Sequence, residues 1–110
     1  MMDAQEVQAF IRGRLHAFDP ATGARVATVD YGPEGRCKLT FASGQAEAGV
    51  YGFEGDTYWT RYDRFRDGQR NGFRLERVSE NIAQAWYTDG ARAFLQSPVE
   101  TLPPVTIPKG

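Results

Sequence analysis

The chain has 110 residues, 41% of them apolar and 25% charged, which suits a single domain with one ordinary core and argues against intrinsic disorder. The net charge of −1 offers neither an electrostatic footprint for nucleic acid nor an attraction to an anionic membrane. A single cysteine, Cys37, excludes an intrachain disulfide and a cysteine-based zinc site, and no run approaches the ~20 apolar residues of a membrane span.

The N-terminal segment has the pattern of a short amphipathic helix. Asp3 followed by Glu6 matches a capping box, and Val7, Phe10 and Ile11 then fall at helical spacing. We expect a helix from about Asp3 to Arg12 that stops at Gly13. Such a helix is too short to be stable alone in water, so it must pack on the rest of the domain as a lid.

From residue 15 onward the apolar period becomes that of strands. The segments 15–18 and 25–31 flank Asp19-Pro20-Ala21-Thr22-Gly23, whose residues suit a type I turn followed by a left-handed glycine. This pattern predicts a β-hairpin. Turn-forming residues then separate six further short runs that are rich in aromatic and β-branched residues: Arg36–Phe41, Ala46–Phe53, Thr57–Arg66, Gly72–Val78, Ile82–Thr88 and Ala91–Gln96.

Eight predicted strands with seven tight connections leave no room for a crossover helix. Neighbouring strands should therefore pair antiparallel as an up-and-down meander. Closure into a barrel removes the two exposed edges, although a strongly curved open sheet or two packed sheets would also fit. We expect one mainly β domain over residues 1–97 and a proline-rich, extended tail over residues 98–110.

No arrangement of side chains in the sequence predicts an enzyme. His16 is the only histidine, the serines lie at turns or in the tail, and the acids around Asp63 lack the spacing of a calcium loop. Six arginines between residues 61 and 77 alternate with aromatics, as on a platform for single-stranded nucleic acid. Six acids between Glu54 and Glu80 cancel the charge of these six arginines, which favours a solvated strand face. We therefore predict no catalytic residue, metal, cofactor, nucleic-acid or membrane partner.

Four short motifs give the chain a resemblance to a known group. They are Tyr31-Gly32-Pro33-Glu34-Gly35, Gly49-Val50-Tyr51, Asp56-Thr57-Tyr58-Trp59 and Tyr87-Thr88-Asp89-Gly90. The pattern resembles small bacterial domains of unknown function with a lipocalin-like β-barrel, a resemblance that implies a fold and no activity. Members of that group often carry a cysteine pair near the central strands and an export signal. This sequence has Trp59 and Phe73 in those positions; we expect a cytoplasmic protein if Met1 is the native start, and a periplasmic one if a signal was removed.

Two hypotheses about function follow. The first is a non-catalytic barrel that binds a small, partly apolar ligand, because the small residues Ala83 and Ala85 lie next to large aromatics and an eight-stranded barrel can hold one small molecule. Its expected lining is Tyr58, Tyr62, Trp86 and Tyr87. The alternative is a protein-interaction or self-association module, such as a homodimer, that uses an outward patch on the central strand formed by Trp59, Arg61 and Phe65.

Overall fold

The computed structural model describes residues 1–99 and shows one helix followed by eight strands. The helix is α1 (Ala4–Phe10). The strands are β1 (Gly13–Phe18), β2 (Arg25–Tyr31), β3 (Arg36–Phe41), β4 (Ala46–Glu54), β5 (Thr57–Tyr62), β6 (Asn71–Ser79), β7 (Ile82–Tyr87) and β8 (Arg92–Pro98). Short 3₁₀ turns at Pro33–Gly35 and Phe65–Gly68 interrupt two of the connections.

The strands form a closed ring in sequence order. Each strand pairs antiparallel with the next, and β8 closes the barrel by pairing with β1, where Leu15 lies opposite Pro98. The predicted mainly β meander with one N-terminal helix is confirmed. Pairing of the first strand with the last removes the two free edges that an open eight-stranded sheet would present to solvent. β8 runs one residue past the predicted domain boundary, and the rest of the predicted tail, 100–110, lies outside the described residues.

Local sequence signals account for the first elements. The Asp3 carboxylate accepts from the amide of Glu6 at 2.9 Å, and the Glu6 carboxylate accepts from the amide of Asp3 at 3.0 Å, so the capping box is confirmed. In the β1–β2 turn the amide of Gly23 donates to the carbonyl of Asp19 at 2.7 Å, and Gly23 has the predicted left-handed backbone with φ +76°. The pairing of β6 with β7 contains a register shift between Arg77 and Ser79.

Alternating side chains from the strands fill the barrel. The buried apolar set combines inward strand residues with three residues of the N-terminal segment: Met2, Val7, Ile11, Leu15, Ala17, Ala27, Val29, Tyr31, Cys37, Leu39, Tyr58, Tyr62, Phe73, Leu75, Ala83 and Ala85. The amide of Met2 donates to the carbonyl of Leu75 at 2.8 Å, which fixes the N-terminal segment at the end of the barrel where β6 finishes. α1 therefore closes that end, as the expected lid. Within residues 1–99 no helix has the length and apolarity to cross a membrane.

The predicted long strand Thr57–Arg66 is wrong, because β5 ends at Tyr62. After Tyr62 the chain leaves the sheet, and the amides of Arg64 and Phe65 donate to the Glu47 carboxylate instead of to a neighbouring strand. Phe65 then turns back over the barrel end, where its ring packs on Phe41 and Tyr62. The contacts of the half-exposed Phe65 ring with Phe41 and Tyr62, together with two hydrogen bonds to a carboxylate, outweigh four more residues of strand pairing.

Candidate functional site

A cavity lies inside the barrel at the end opposite α1. Its volume is about 290 Å³. Nearly all of its wall is apolar or aromatic, and the wall is supplied by every strand except β4 and by the β5–β6 connection. The lining residues are Ala17, Val26, Ala27, Val29, Tyr31, Leu39, Phe41, Thr60, Tyr62, Phe65, Arg66, Asn71, Phe73, Tyr87 and Phe94.

Alanines on the first two strands make room for this cavity. Ala17 on β1 and Ala27 on β2 pair with each other and both face the space. The sequence suggested Ala83 and Ala85 for this role, but both are completely buried and neither lines the cavity. The space therefore lies beside β1 and β2, where two small residues meet across a strand pair.

Aromatic rings form one continuous wall. The ring of Phe73 on β6 lies 5.1 Å from that of Tyr87 and 5.3 Å from that of Phe94, measured between centroids. On the side toward α1 the same ring lies 5.1 Å from Tyr58. These spacings are in the favourable range for aromatic pairs, so the wall is a rigid surface rather than a loose collection of side chains.

Below the cavity lies a layer of buried hydroxyl groups. Gln96 donates from Nε2 to the hydroxyl of Tyr58 at 2.8 Å, and Tyr31 packs edge-on against Tyr58. Burial raises the pKa of Tyr31, Tyr58 and Tyr62 above the ordinary tyrosine value. Burial also raises the pKa of Cys37 to about 11. All four groups are neutral at physiological pH, and Cys37 is accordingly not a reactive thiolate.

The mouth of the cavity is covered by the connection between β5 and β6, residues 63–70, which we call the mouth loop. The ring of Phe65 lies 5.4 Å from Phe41 and 5.9 Å from Tyr62. The guanidinium carbon of Arg66 lies 5.0 Å from the centroid of the Tyr87 ring, and its Nη1 donates to the Tyr87 hydroxyl at 3.0 Å. The loop thus contributes one aromatic and one cationic side chain to the lining.

A carboxylate on β4 holds the mouth loop in place. Glu47 Oε1 accepts from the amides of Arg64 at 2.6 Å and of Phe65 at 2.7 Å, and these two bonds lower the pKa of Glu47. Arg66 and Asp67 follow in the left-handed region, with φ +55° and +57°. Non-glycine residues adopt this conformation at a cost of about 1–3 kcal/mol each, and such strain gathers where a loop must present a particular side chain.

The structure brings only part of the predicted lining to the cavity. Tyr62 and Tyr87 form part of the wall, whereas Tyr58 lies in the buried layer beneath it. Trp86 lies on the outer face of β7, where its indole nitrogen donates to Glu76 at 3.0 Å. Alternation decides this placement, because Ala85 and Tyr87 occupy the inward positions on either side of Trp86.

The three residues predicted for an interface do not form one patch. Trp59 lies on the outer face of β5 against Gly52, and the guanidinium of Arg70 is stacked 4.3 Å from its ring centroid. Arg61 is exposed on the same strand. Phe65 lies in the mouth loop over the cavity instead of on the strand.

Several lining residues were not singled out from the sequence. Phe41, Phe94, Arg66 and Asn71 all lie at strand ends or in a connection on the same rim of the barrel. Of these four residues, Phe41 could be assigned to the inward face from the sequence, because it shares one face of β3 with Cys37 and Leu39. For Arg66 no local signal was present, because its position depends on the turn-back of the mouth loop.

The described residues offer little for catalysis or metal binding. His16 lies on the outer face of β1, with Nδ1 2.8 Å from the hydroxyl of Thr28, and burial lowers its pKa. No group of three or more histidine, cysteine or acidic side chains within residues 1–99 could hold a metal ion. The cavity lining in that part of the chain contains no histidine, cysteine or carboxylate.

Comparison of the chain with protein families, with curated proteins and with solved structures gives no match. The resemblance to lipocalin-like domains therefore stays a prediction. The structure is a closed eight-stranded barrel with a helix at one end and a cavity with a mostly apolar lining at the other.

Proposed function

We propose that the protein is a non-catalytic binding barrel that takes one small, mostly apolar molecule into the cavity beneath the mouth loop. The observation that carries this proposal is the cavity of about 290 Å³, lined by aromatic and aliphatic side chains at one end of the barrel. Ligand sites typically have this make-up, with an apolar wall and a few polar groups that fix orientation.

Two apolar residues of the lining, Val26 and Phe65, remain 42% and 38% exposed, so the cavity is open to solvent at its rim. Larger side chains at Ala17 and Ala27 would fill the space, since both alanines face it. A bound apolar molecule would remove the same apolar surface from water, which supports a role for the space itself.

The volume also limits the size of the ligand. An engineered apolar cavity of about 150 Å³ accepts benzene, with its six carbons. The present cavity is about twice as large, so it suits a molecule of about a dozen non-hydrogen atoms. This excludes large cofactors such as haem or a dinucleotide from the interior.

A pair of alanine variants tests the proposal. Ala27→Leu places three additional carbons in the cavity, whereas Ala48→Leu adds the same carbons at an exposed position of β4. Both tryptophans lie outside the cavity, so two-dimensional NMR and calorimetry are better readouts than tryptophan fluorescence. We use a panel of probes of about 8–12 non-hydrogen atoms, including octanoate, 1-octanol and indole.

At least one probe should bind the native protein and shift the resonances of Phe73, Tyr87 and Phe94. The Ala48→Leu variant should bind it equally well, and Ala27→Leu should bind it at least about ten-fold more weakly, which corresponds to about 1.4 kcal/mol. Circular dichroism should show the same fold for all three proteins. Unchanged binding by Ala27→Leu, or no binding of any probe to the native protein, would refute the proposal.

The alternative, self-association through the outer face of the central strand, has less support. The Trp59 ring packs against Gly52, and the guanidinium of Arg70 is stacked on it. Trp86 has a hydrogen-bond partner in Glu76. Trp59 therefore does not need a second chain to cover its ring, and Trp86 does not need one to satisfy its indole nitrogen.

A further inference from the structure

The cavity has a cation at its mouth. Among the lining residues in the described part of the chain, Arg66 alone carries a charge. Tyr87 contacts the Arg66 guanidinium in two ways: the guanidinium lies over the Tyr87 ring and donates a hydrogen bond to the Tyr87 hydroxyl. The remaining lining is apolar, aromatic or neutral, so the charge is confined to one edge of the site.

Arg66 has unused capacity to bind an anion. A guanidinium carries five N–H donors, and the Tyr87 hydroxyl occupies one of them. Within residues 1–99, carboxylates approach Arg14 and Arg70 to ion-pair distance, but none does so at Arg66. The neighbouring acids Asp63 and Asp67 belong to the same loop and leave the guanidinium unpaired.

The backbone conformation of the mouth loop places the Arg66 side chain at the mouth of the cavity. The two hydrogen bonds from the mouth loop to Glu47 precede Arg66 directly, and the left-handed turn through Arg66 and Asp67 follows them. A planar guanidinium held in one position can bind a carboxylate through two parallel hydrogen bonds. An apolar interior, in contrast, strongly disfavours a buried charge without a partner.

We propose, on the basis of the proposed function, that the ligand is an amphiphilic carboxylate. Its apolar body occupies the cavity and its carboxylate lies at the mouth against Arg66. The cavity volume and the single cation together set this class: one ionised head group on an aliphatic or aromatic body, with about a dozen non-hydrogen atoms in all.

The test compares octanoate with 1-octanol, which has the same chain length and no charge, by calorimetry at neutral pH. Four proteins are measured: the native chain, Arg66→Gln, Arg66→Lys, and Arg74→Gln as the control. Arg74 is exposed on the outer face of β6 next to the cavity residue Phe73, so its substitution makes the same change in net charge outside the site.

Arg66→Gln should weaken octanoate binding by about 10- to 100-fold, the usual range for the loss of a hydrogen-bonded charge partner. Its affinity for 1-octanol should stay within about two-fold of the native value, because the apolar contacts are unchanged. Arg74→Gln should match the native protein with both probes. Arg66→Lys should lie between the native protein and Arg66→Gln for octanoate, since it keeps the charge and loses the paired donors.

Two results would overturn the inference and leave the proposed function in place. One is equal binding of octanoate and 1-octanol to the native protein with no effect of Arg66→Gln. The other is an equal loss of both probes in Arg66→Gln, which would show that Arg66 acts by holding the mouth loop. If neither probe binds the native protein, an octyl chain does not enter the cavity, and the amphiphilic carboxylate is refuted with it.

Discussion

At the scale of single residues, two glycines of β4 make room for aromatic rings on the neighbouring strand. Gly49 pairs with Tyr62 and Gly52 pairs with Trp59, and each ring lies flat across its glycine. A methyl group on Gly49 would overlap the Tyr62 ring and come within 2.8 Å of the carbonyl oxygen of Arg61. The position of Tyr62 in the cavity wall therefore depends on the absence of a side chain on the adjacent strand.

We predict that Gly49→Ala lowers the free energy of unfolding by about 1–3 kcal/mol, as other overpacked substitutions do. Displacement of Tyr62 should weaken ligand binding as well, because this ring lines the cavity. Gly32→Ala is the matched control: its φ of −98° suits any residue and the nearest atom to an added methyl group is 3.4 Å away. Urea unfolding of both variants provides the measurement, and equal destabilisation would show that the contact with Tyr62 is not the cause.

At the scale of elements, the mouth loop is the segment in which tertiary contacts override local preference. Its residues continue the strand-like alternation of β5, yet the chain turns at Asp63 and forms a 3₁₀ turn at Phe65–Gly68. The Glu47 carboxylate is the anchor for this turn. One titratable side chain on β4 consequently controls a loop that covers the cavity.

We predict that acid releases the mouth loop. The pKa of Glu47 is lowered in the folded protein, so its contribution is fully present above the ordinary glutamate pKa of about 4.3 and is lost as the pH falls through the lowered value. Amide hydrogen exchange of Arg64 and Phe65 should be slow at neutral pH and faster in Glu47→Ala.

The control for this experiment is Glu76→Ala, which removes an acid that binds the outer Trp86. Exchange at Arg64 and Phe65 should be unchanged in that variant. Exchange in Glu47→Ala that equals the native rate would show that the contacts of Phe65 and Arg66 hold the loop without Glu47.

At the scale of the whole molecule, the two ends of the barrel differ: one is closed by packed side chains and the other contains the cavity. α1 and the residues on either side of it close one end with Met2, Val7 and Ile11, all of them buried. The other end holds the cavity and the mouth loop. Because the ring is continuous, a loss of packing at the closed end should lower the stability of all strands together.

We predict that Ile11→Ala lowers the free energy of unfolding by about 2–4 kcal/mol, because it removes a buried side chain from the closed end. Gln8→Ala, at an exposed position of α1, should change it by less than about 0.5 kcal/mol. Circular dichroism and the NMR signals of the mouth loop should report one common transition in urea. Unfolding of α1 in a separate, earlier step would contradict this view of the molecule.

Local chemistry in the sequence was sufficient for much of the fold. The capping box at Asp3 and Glu6, the turn that ends at Gly23 and the short connections between alternating runs specify one helix and an antiparallel meander. These features depend on residues within a few positions of one another. Their backbone geometry therefore follows from side-chain type and spacing alone.

Only the tertiary structure decided where the candidate site lies. Phe65 and Arg66 face the cavity because Glu47, seventeen residues before Arg64, turns the chain away from the sheet. The cavity itself arises where Ala17 and Ala27 meet across two strands, and Trp86 is outside because the barrel's closure selects one face of β7 as the interior. Each of these outcomes depends on contacts between distant positions. The sequence pattern divides each strand into two faces, but it does not determine which face the barrel buries.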